Sequence, residues 1–263
     1  MSEISAIGSF RVRVGYSKLG RLRYLGHLEV AHTLERVVRR ANLPYAITQG
    51  FSPRMRIAYS AAVPCGTASE DEWFDLWLEE YIPANEILDR LVASSPHDLM
   101  PTCAGYVDMH NPALTAELTR AQYRVTITAR AQACDTSAPM SFDTFTAAFD
   151  ACAANEFIEY ARGAKTKRMN VANTLVDYQL SQLDEGVFEV ILNTRSSNAG
   201  ALRPEVLINE VENSLGAQIQ KELFVHCEID KISQFIEHED GTLSKPLTHP
   251  RESEVKFKAT SCQ

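Results

Sequence analysis

His27 is the residue with the clearest capacity for chemistry. It stands at the start of a predicted helix, with Arg23 before it and more arginines after it. An imidazole titrates near neutral pH, so beside a phosphodiester it could act as a general acid or base. The sequence equally allows a His27 that packs against the first strand and hydrogen-bonds the backbone. His27 is therefore a candidate catalytic residue.

Arginine supplies most of the positive charge in the first quarter of the chain. Residues 1–68 contain ten Lys or Arg, nine of them Arg, against three Asp or Glu, a net charge of +7. The whole chain is at −8, so residues 69–263 carry −15. Guanidiniums bind phosphates through paired hydrogen bonds and stack on bases. The candidate nucleic-acid-binding residues are Arg11, Arg13, Arg23, Arg36, Arg39, Arg40, Arg54, Arg56 and Phe51. The alternative is a solvated surface with ion pairs inside the helix.

Two strands, a helix and a turn must position these side chains. Residues 10–14 alternate between apolar and basic types, which predicts a strand with one buried face and one exposed basic face. Residues 27–42 have apolar side chains every three or four positions, which predicts a helix with arginines on its outer side. Residues 49–53 contain Gly and Pro and predict a tight turn. We therefore expect the guanidiniums to share one exposed surface.

The order strand, helix, strand, strand, helix, strand occurs twice along the chain. This is the order of a split βαβ, or ferredoxin-like, unit, which carries its helices on one face of its sheet and leaves the other open. We predict an α+β fold with two tandem ferredoxin-like domains, residues 1–110 and 120–232. Residues 109–120 are predicted to connect them. Residues 233–263 have few apolar positions and are predicted to be a flexible C-terminal tail.

Composition argues against several classes of protein. The six cysteines include no pair two or three residues apart, whereas zinc ribbons and iron–sulfur loops need such pairs. The acidic residues 70–72 favour a solvated edge or partners for the arginines over a metal site. We expect no metal and no cofactor.

No basic segment followed by an apolar run opens the sequence, and no window approaches about 18 apolar residues. We therefore expect a cytoplasmic protein that does not enter a membrane.

A set of short motifs in the first hundred residues is similar to those of a known family. The matching positions are Phe10-Arg11-Val12, Lys18-Leu19-Gly20, Leu22 to Glu29, Glu35-Arg36, Arg39-Arg40-Ala41, Gln49 to Pro53 and Arg56-Ile57. A looser match covers residues 165–171 and Arg203-Pro204. On these motifs the chain resembles the radical SAM-linked family, a bacterial domain of unknown function fused to, or encoded beside, cobalamin-binding radical SAM proteins.

The resemblance implies a partner and has two departures. Its implied partner is a radical SAM protein. The family usually has Ser where this chain has Gly26, which weakens a capping role beside His27. It often has His-Pro where this chain has Arg54-Met55, which removes a possible second imidazole. The family offers no established catalytic residue to carry over.

These observations favour a non-catalytic accessory module that binds RNA and works with a radical SAM protein in RNA modification or processing. One alternative is a metal-independent endoribonuclease using His27. It would resemble the CRISPR repeat-processing enzymes, which also pair two ferredoxin-like domains, but the chain lacks their glycine-rich loop near the C-terminus. The other alternative is a protein–protein adaptor, in which the arginines meet an acidic partner surface and no nucleic acid takes part.

Overall fold

The computed structural model of the 263-residue chain describes residues 10–130, 140–197, 200–216 and 223–247. Its strands are β1 (Phe10–Lys18), β2 (Ile57–Tyr59), β3 (Ala68–Leu78), β4 (Leu99–Val107), β5 (Leu118–Ala129), β6 (Phe157–Arg162), β7 (Lys165–Asn170), β8 (Leu175–Asp184), β9 (Val187–Ser197), β10 (Gly200–Ala201), β11 (Phe224–Glu237) and β12 (Leu243–Ser244). Its helices are α1 (His27–Arg40), α2 (Ala84–Ser94), α3 (Leu114–Glu117), α4 (Phe142–Ala153), α5 (Val171–Thr174) and α6 (Pro204–Gly216), with a 3₁₀ helix at Gly20–Tyr24.

Ten of the described strands form one main sheet. Its path runs β10-β9-β5-β11-β3-β1-β4, while β8 pairs with β9, β2 with β3 and β12 with β11. Strands β6 and β7 form a separate hairpin. Strands β11 and β3 pair in parallel through two positions, Asp230 with Ala68 and Lys231 with Ser69. The chain therefore has a mixed α+β fold with one main sheet and few helices.

Helix α1 shows how the sequence produces these elements. Its buried residues, spaced by one, three or four positions, are Val30, Ala31, Leu34, Val37 and Val38. The helix ends at Arg40, and Asn42 follows in the left-handed region with φ of 50°. Asn tolerates that conformation better than most residues because its short side chain can bond the local backbone. One core lies where α1 and α2 cover β1, β3 and β4, and a second where α4 and α6 cover β5, β9 and β11.

The face of the first sheet half opposite α1 and α2 is covered. Trp73 on that face packs with Leu114 of α3 and Leu118 of β5, and Ile236 and Leu247 join the same cluster. The prediction that this face is open is therefore wrong. The predicted connector at residues 109–120 and the segment around residue 247 fold onto it, because Trp73 and Leu118 would otherwise expose apolar surface to water.

The predicted flexible tail is also wrong over residues 233–247. Strand β11 continues to Glu237 and pairs with β5 from Phe224 to Ile236, and β12 pairs with its end. A strand in the middle of a sheet needs no apolar-rich sequence if its neighbours satisfy its backbone. Residues 248–263 of the predicted tail lie outside the described residues.

Candidate nucleic-acid interface

Arg11 and Arg13 are buried, with 3% and 0% of their surface exposed. Arg11 Nη2 lies 2.6 Å from Asp75 Oδ2, and Arg13 Nε lies 2.9 Å from Asp75 Oδ1. A second carboxylate, that of Glu117, accepts from Arg13 Nη2 at 2.6 Å. The prediction that these guanidiniums lie on an exposed surface is therefore wrong, and internal carboxylates neutralise them.

The reason for this error is the layer that covers the sheet. Alternation on β1 places both arginines on the face away from α1, but the pattern is the same whether water or protein lies there. Backbone carbonyls complete the site: Asn111 O and Pro112 O accept from Arg11 at 2.5 and 2.8 Å, and Pro246 O accepts from Arg13 at 3.1 Å. Every one of these acceptors belongs to a segment predicted to be a connector or a tail.

Arg23 and Arg56 also have partners within the protein. Arg23 is largely buried and donates to the carboxylates of Glu228 and, at 2.9 Å, Asp230 of β11. It therefore holds the two parts of the sheet together instead of facing a polyanion. The half-buried guanidinium of Arg56 lies 4.6 Å from the centre of the Trp77 ring, a cation–π contact.

The remaining arginines of the set are exposed. Arg36, Arg39 and Arg40 lie on the outer side of α1, and we call these three the α1 ridge. Arg39 Nη1 lies 3.8 Å from Glu35 Oε2, a weak surface pair. In the turn after Ile47, Arg54 and Phe51 are also exposed, Phe51 completely. Their role in binding stays a prediction.

His27 is exposed and stands at the far end of α1 from the ridge. At 1.5 Å of rise per residue, Arg36 and Arg40 lie roughly 13 and 20 Å further along the helix axis. The imidazole packs edge-on against Tyr59, with ring centres 5.7 Å apart. The carboxylate of Glu29 accepts from Gly26 N at 2.7 Å, so an internal anion already occupies the helix start that a phosphate would need. The ridge and His27 therefore do not form one site.

A small pocket lies beneath His27. It measures about 10 Å³, which holds roughly one water molecule, and Lys18 and Glu72 line it. Lys18 is 2% exposed, and burial lowers its pKa even though Glu72 nearby raises it. The pocket itself is too small for a substrate, and the catalytic role of His27 stays a prediction.

Another cationic site lies where the β6–β7 hairpin faces the main sheet. The alternation of the hairpin puts Tyr160, Arg162 and Lys167 on the same side as Ile158 and Met169, which are buried in the second core. That side therefore turns toward the protein. Between it and the sheet lies a cleft of about 360 Å³, which we call the hairpin cleft. Its charged lining residues are Arg162, Lys167, Arg168, Arg203, Lys231 and Glu205.

Most of the cations at the mouth of the hairpin cleft are available to a ligand. Among the described residues, Arg162 and Lys167 have no ion pair or hydrogen-bonded side-chain partner, and both are exposed. Arg168 lies on the opposite side of the hairpin, where its guanidinium is 3.7 Å from Glu159 and stacks over Phe157 at 4.1 Å. The cleft mouth can therefore bind anions.

Lys231 lies at the base of the cleft and is 3% exposed. Its Nζ lies 2.8 Å from Glu72 Oε1, and the hydroxyls of Ser60 and Ser69 also donate to that carboxylate. Burial lowers the pKa of Lys231, but Glu72 outweighs it, so the ammonium form is stabilised. Burial has the opposite effect on the neighbouring Tyr123 phenol: it raises the pKa, because it disfavours the charged phenolate. The cleft base thus presents a neutral hydroxyl and a fixed, compensated ion pair.

The sequence prediction did not include the hairpin cleft, because the net positive charge of the chain is concentrated in its first quarter. The sequence Arg162-Gly163-Ala164-Lys165-Thr166-Lys167-Arg168 carries four cations and no carboxylate within an acidic region. Gly163 adopts φ of 61° at the turn. A short cationic run around a turn glycine was the available signal for a hairpin that presents positive charge.

The carboxylates at residues 70–75 have structural partners. Asp71 accepts from Gln234 N at 2.7 Å, Glu72 binds Lys231, and Asp75 binds Arg11 and Arg13. In the part of the chain that the structure describes, no group of three or more His, Cys, Asp or Glu side chains is placed to hold a metal ion. Nor does any described helix have the length and apolar character to cross a membrane.

Residues 11–204 match the family model described as "Uncharacterized protein conserved in bacteria (DUF2344)". The chain belongs to this family. A search of curated proteins found no match. The association of the DUF2344 family with radical SAM proteins stays a prediction.

Several solved structures are similar to this member of the DUF2344 family at low identity. The crystal structure of a Cbf5-Nop10-Gar1 complex aligns at 9% identity and a TM-score of 0.45, covering 89% of this chain and 51% of that one. An H/ACA RNP bound to a substrate RNA containing 2'-deoxyuridine aligns at 8% and 0.42, covering 84% and 47%. The chain thus spans about half the length of these two. An unknown protein from Galdieria sulphuraria aligns at 10% and 0.24, covering 86% and 98%.

Proposed function

We propose that this protein is a non-catalytic accessory module that binds RNA through the hairpin cleft. The observation that carries the proposal is the convergence of Arg162 and Lys167 on the cleft side of the hairpin, opposite Arg203 and Lys231. Five cationic residues and one anionic residue line the cleft in a chain whose net charge is −8. A local excess of one sign in a protein of the other sign attracts a ligand of opposite charge.

RNA fits this site better than an acidic protein surface does. The cations lie on a projecting two-stranded arm above a recess, so they can follow an extended backbone on both sides. Arg162, Lys165 and Lys167 lie on the same side of the hairpin as Tyr160. A positively charged groove beside aromatic rings is typical of single-stranded nucleic-acid sites.

The test compares two variants that change net charge equally. Arg162→Glu with Lys167→Glu reverses the charge of the cleft mouth, and Arg36→Glu with Arg40→Glu reverses the charge of the α1 ridge. Binding of a labelled single-stranded RNA is followed by fluorescence anisotropy from low to high salt. We expect wild-type affinity to fall steeply with salt and the cleft variant to lose at least tenfold with a shallower salt slope. The ridge variant should lose much less.

Three outcomes would contradict the proposal. Salt-independent or absent binding would exclude phosphate contacts. A loss of RNA affinity confined to the ridge variant would show that the interface is at α1. Cleavage of the RNA that is abolished in His27→Ala would replace the accessory role with the endoribonuclease alternative.

We propose further that each half of the chain is a ferredoxin-like unit, as the sequence predicts. The strand order supports this: β4, β1, β3 and β2 are neighbours in the first half, and β11, β5, β9 and β8 in the second. When the β6–β7 hairpin and the two-residue β10 are left out of the count, each set is the fourth, first, third and second strand of its half. A helix precedes the second strand and another precedes the fourth. The β6–β7 hairpin is then an insertion after the first helix of the second unit.

The proposed partner is a radical SAM protein in the cytoplasm, supported by the motif resemblance. The exposed ridge and the arm leave separate surfaces for the partner and for RNA. Affinity purification from nuclease-treated bacterial extract tests this. A radical SAM protein retained after nuclease treatment supports direct contact, whereas its loss would mean that RNA bridges the two.

A further inference from the structure

The hairpin cleft is a recess with a chemical gradient from mouth to base. Its mouth carries Arg162 and Lys167, while its base carries Tyr123, Thr194 and Gln234. The charge of Lys231 at the base is already compensated by Glu72 at 2.8 Å. A ligand that fits must therefore be anionic at one end and uncharged, flat and capable of hydrogen bonding at the other.

The base of the cleft retains hydrogen-bonding capacity of both kinds. Gln234 Nε2 donates to Asp71 O at 2.5 Å, which leaves its side-chain oxygen without a partner among the described residues. Asn170 Oδ1 accepts from Asn173 N at 2.8 Å, which leaves its amide nitrogen free to donate within the same described part. An uncommitted acceptor and donor can read the edge of a base.

One wall of the cleft offers a stacking surface. Tyr160 lines the cleft, and the guanidinium of Arg203 lies 5.9 Å from its ring centre. Arg203 contacts Glu205 at 3.3 Å, with both side chains about one third exposed, which fixes its orientation. Tyrosine rings and guanidinium planes are the surfaces on which unstacked bases rest in RNA-binding proteins.

The size of the cleft limits the ligand to a single unit. Its volume of about 360 Å³ lies near the lower end of the range for small-molecule sites, about 300–1,000 Å³. Bases inside a duplex are stacked and paired, so none can reach the base of such a recess without leaving the helix. The cleft therefore selects single strands.

We infer that the hairpin cleft takes one unstacked nucleotide of a single-stranded RNA, with its base against Tyr160 and its phosphates at Arg162 and Lys167. This inference rests on the proposed RNA-binding function and adds to it the unit that is bound. A polyanion held only by charge, such as polyphosphate, is the competing occupant. It would use the cleft mouth and leave Tyr160 and Gln234 without contact.

The experiment compares RNA strands that differ only in their bases. Wild-type protein is titrated with a short labelled oligouridine, with the same strand made fully abasic, and with a duplex containing the oligouridine. Because stacking of one base on an aromatic ring strengthens binding appreciably, we expect the abasic strand and the duplex to bind at least fivefold more weakly. Tyr160→Ala should lower the affinity for oligouridine to that for the abasic strand. Tyr160→Phe should keep the difference in affinity between the two strands.

The outcomes separate this inference from the proposed function. Equal affinity of wild-type protein for the base-bearing and abasic strands overturns the nucleotide site, and if Arg162→Glu with Lys167→Glu still weakens binding of both strands, RNA binding through the cleft mouth stands. Absence of binding to any strand overturns both. The comparison of base-bearing and abasic strands uses wild-type protein alone. It therefore decides the question even if the Tyr160→Ala protein does not fold.

Discussion

Asp75 is fully buried on β3 and is the common partner of two arginines that the sequence places on an exposed face. Its carboxylate oxygens bond both Arg11 and Arg13, and Glu117 supplies the second negative charge. Two buried guanidiniums are thus matched by two carboxylates. The balance is stable only while both carboxylates are present, because an unpaired charge in the interior is far more costly than the pair.

Replacing Asp75 by Asn should therefore destabilise the protein strongly. The change keeps shape and removes one charge, so it leaves a buried guanidinium without a counterion and should lower the free energy of unfolding by about 3–5 kcal/mol. Urea denaturation measures this. Glu79→Gln, one residue beyond the same strand and exposed, is the matched control and should change stability by less than about 0.5 kcal/mol. A similar small effect for Asp75→Asn would show that this ion cluster does not stabilise the fold.

Glu237 gives the stability a pH dependence on the acid side. Hydrogen bonds from Arg195, and contact with Arg120, lower its pKa below the ordinary value of 4.5. A carboxylate with a depressed pKa contributes stability above the unfolded-state pKa and loses it as the pH falls through the folded-state value. We expect Glu237→Gln to lower stability by about 1 kcal/mol at pH 7 and by progressively less as the pH falls below 4.5.

Thermal unfolding across this pH range tests the role of Glu237. Glu239→Gln is the control, because that side chain is exposed just beyond β11. A constant difference between wild type and Glu237→Gln at all pH values would contradict the assignment. It would mean that the substitution acts through packing and not through charge.

Elements were predictable where the pattern is local. The spacing of apolar residues is enough to predict β1, α1, α4 and α6, because each of these elements buries one stripe or face of its own residues. Ser141 caps α4 with a hydroxyl that accepts from Thr144 N, as the preference of serine for this position predicts. The layer over Asp75 was not predictable, since its acceptors at residues 111, 112 and 246 are backbone carbonyls, which any sequence carries. The hairpin cleft could be anticipated only in part, from its cationic run.

The segment at residues 245–247 is packed closely against β4. A Cβ added to Gly105 would lie 2.8 Å from Leu247 Cδ1, so Gly105→Ala should push that side chain away and lower stability by about 1–3 kcal/mol. Leu247→Ala makes room for the added methyl group. Combining the two should therefore cost less than the sum of the single changes, by about 0.5 kcal/mol or more in a double-mutant cycle. Additive effects would show that Leu247 does not contact Gly105 in solution.

On the scale of the whole molecule, polar contacts join the two parts of the sheet. The parallel pairing of β11 with β3 is short, and Lys231 with Glu72, Arg23 with Asp230, and Gln234 with Asp71 supplement it. Hydrogen bonds and ion pairs depend on direction, so they fix the relative position of the two parts more closely than a non-directional apolar contact would. They also fix the recess in which we place the nucleotide.

Glu72→Gln should weaken this junction by about 3–5 kcal/mol, because Lys231 and the nearby buried Lys18 then lack a countercharge. Adding Lys231→Met removes one of the two ammonium groups and should restore part of the loss, since the glutamine oxygen can still accept from one of the Ser60 and Ser69 hydroxyls and its amide nitrogen can donate to the other. Equilibrium unfolding of the two variants measures both effects. A double variant less stable than Glu72→Gln alone would contradict the account.

The Pro246 carbonyl that accepts from Arg13 has a consequence for biosynthesis. Arg13 emerges from the ribosome early, but this acceptor follows more than two hundred residues later. Until then Asp75 and Glu117 can already pair with the guanidinium, but its Nη1 group lacks the Pro246 acceptor and must bind water instead. A nascent chain arrested before residue 246 should accordingly be digested by protease at β1 more readily than the released protein.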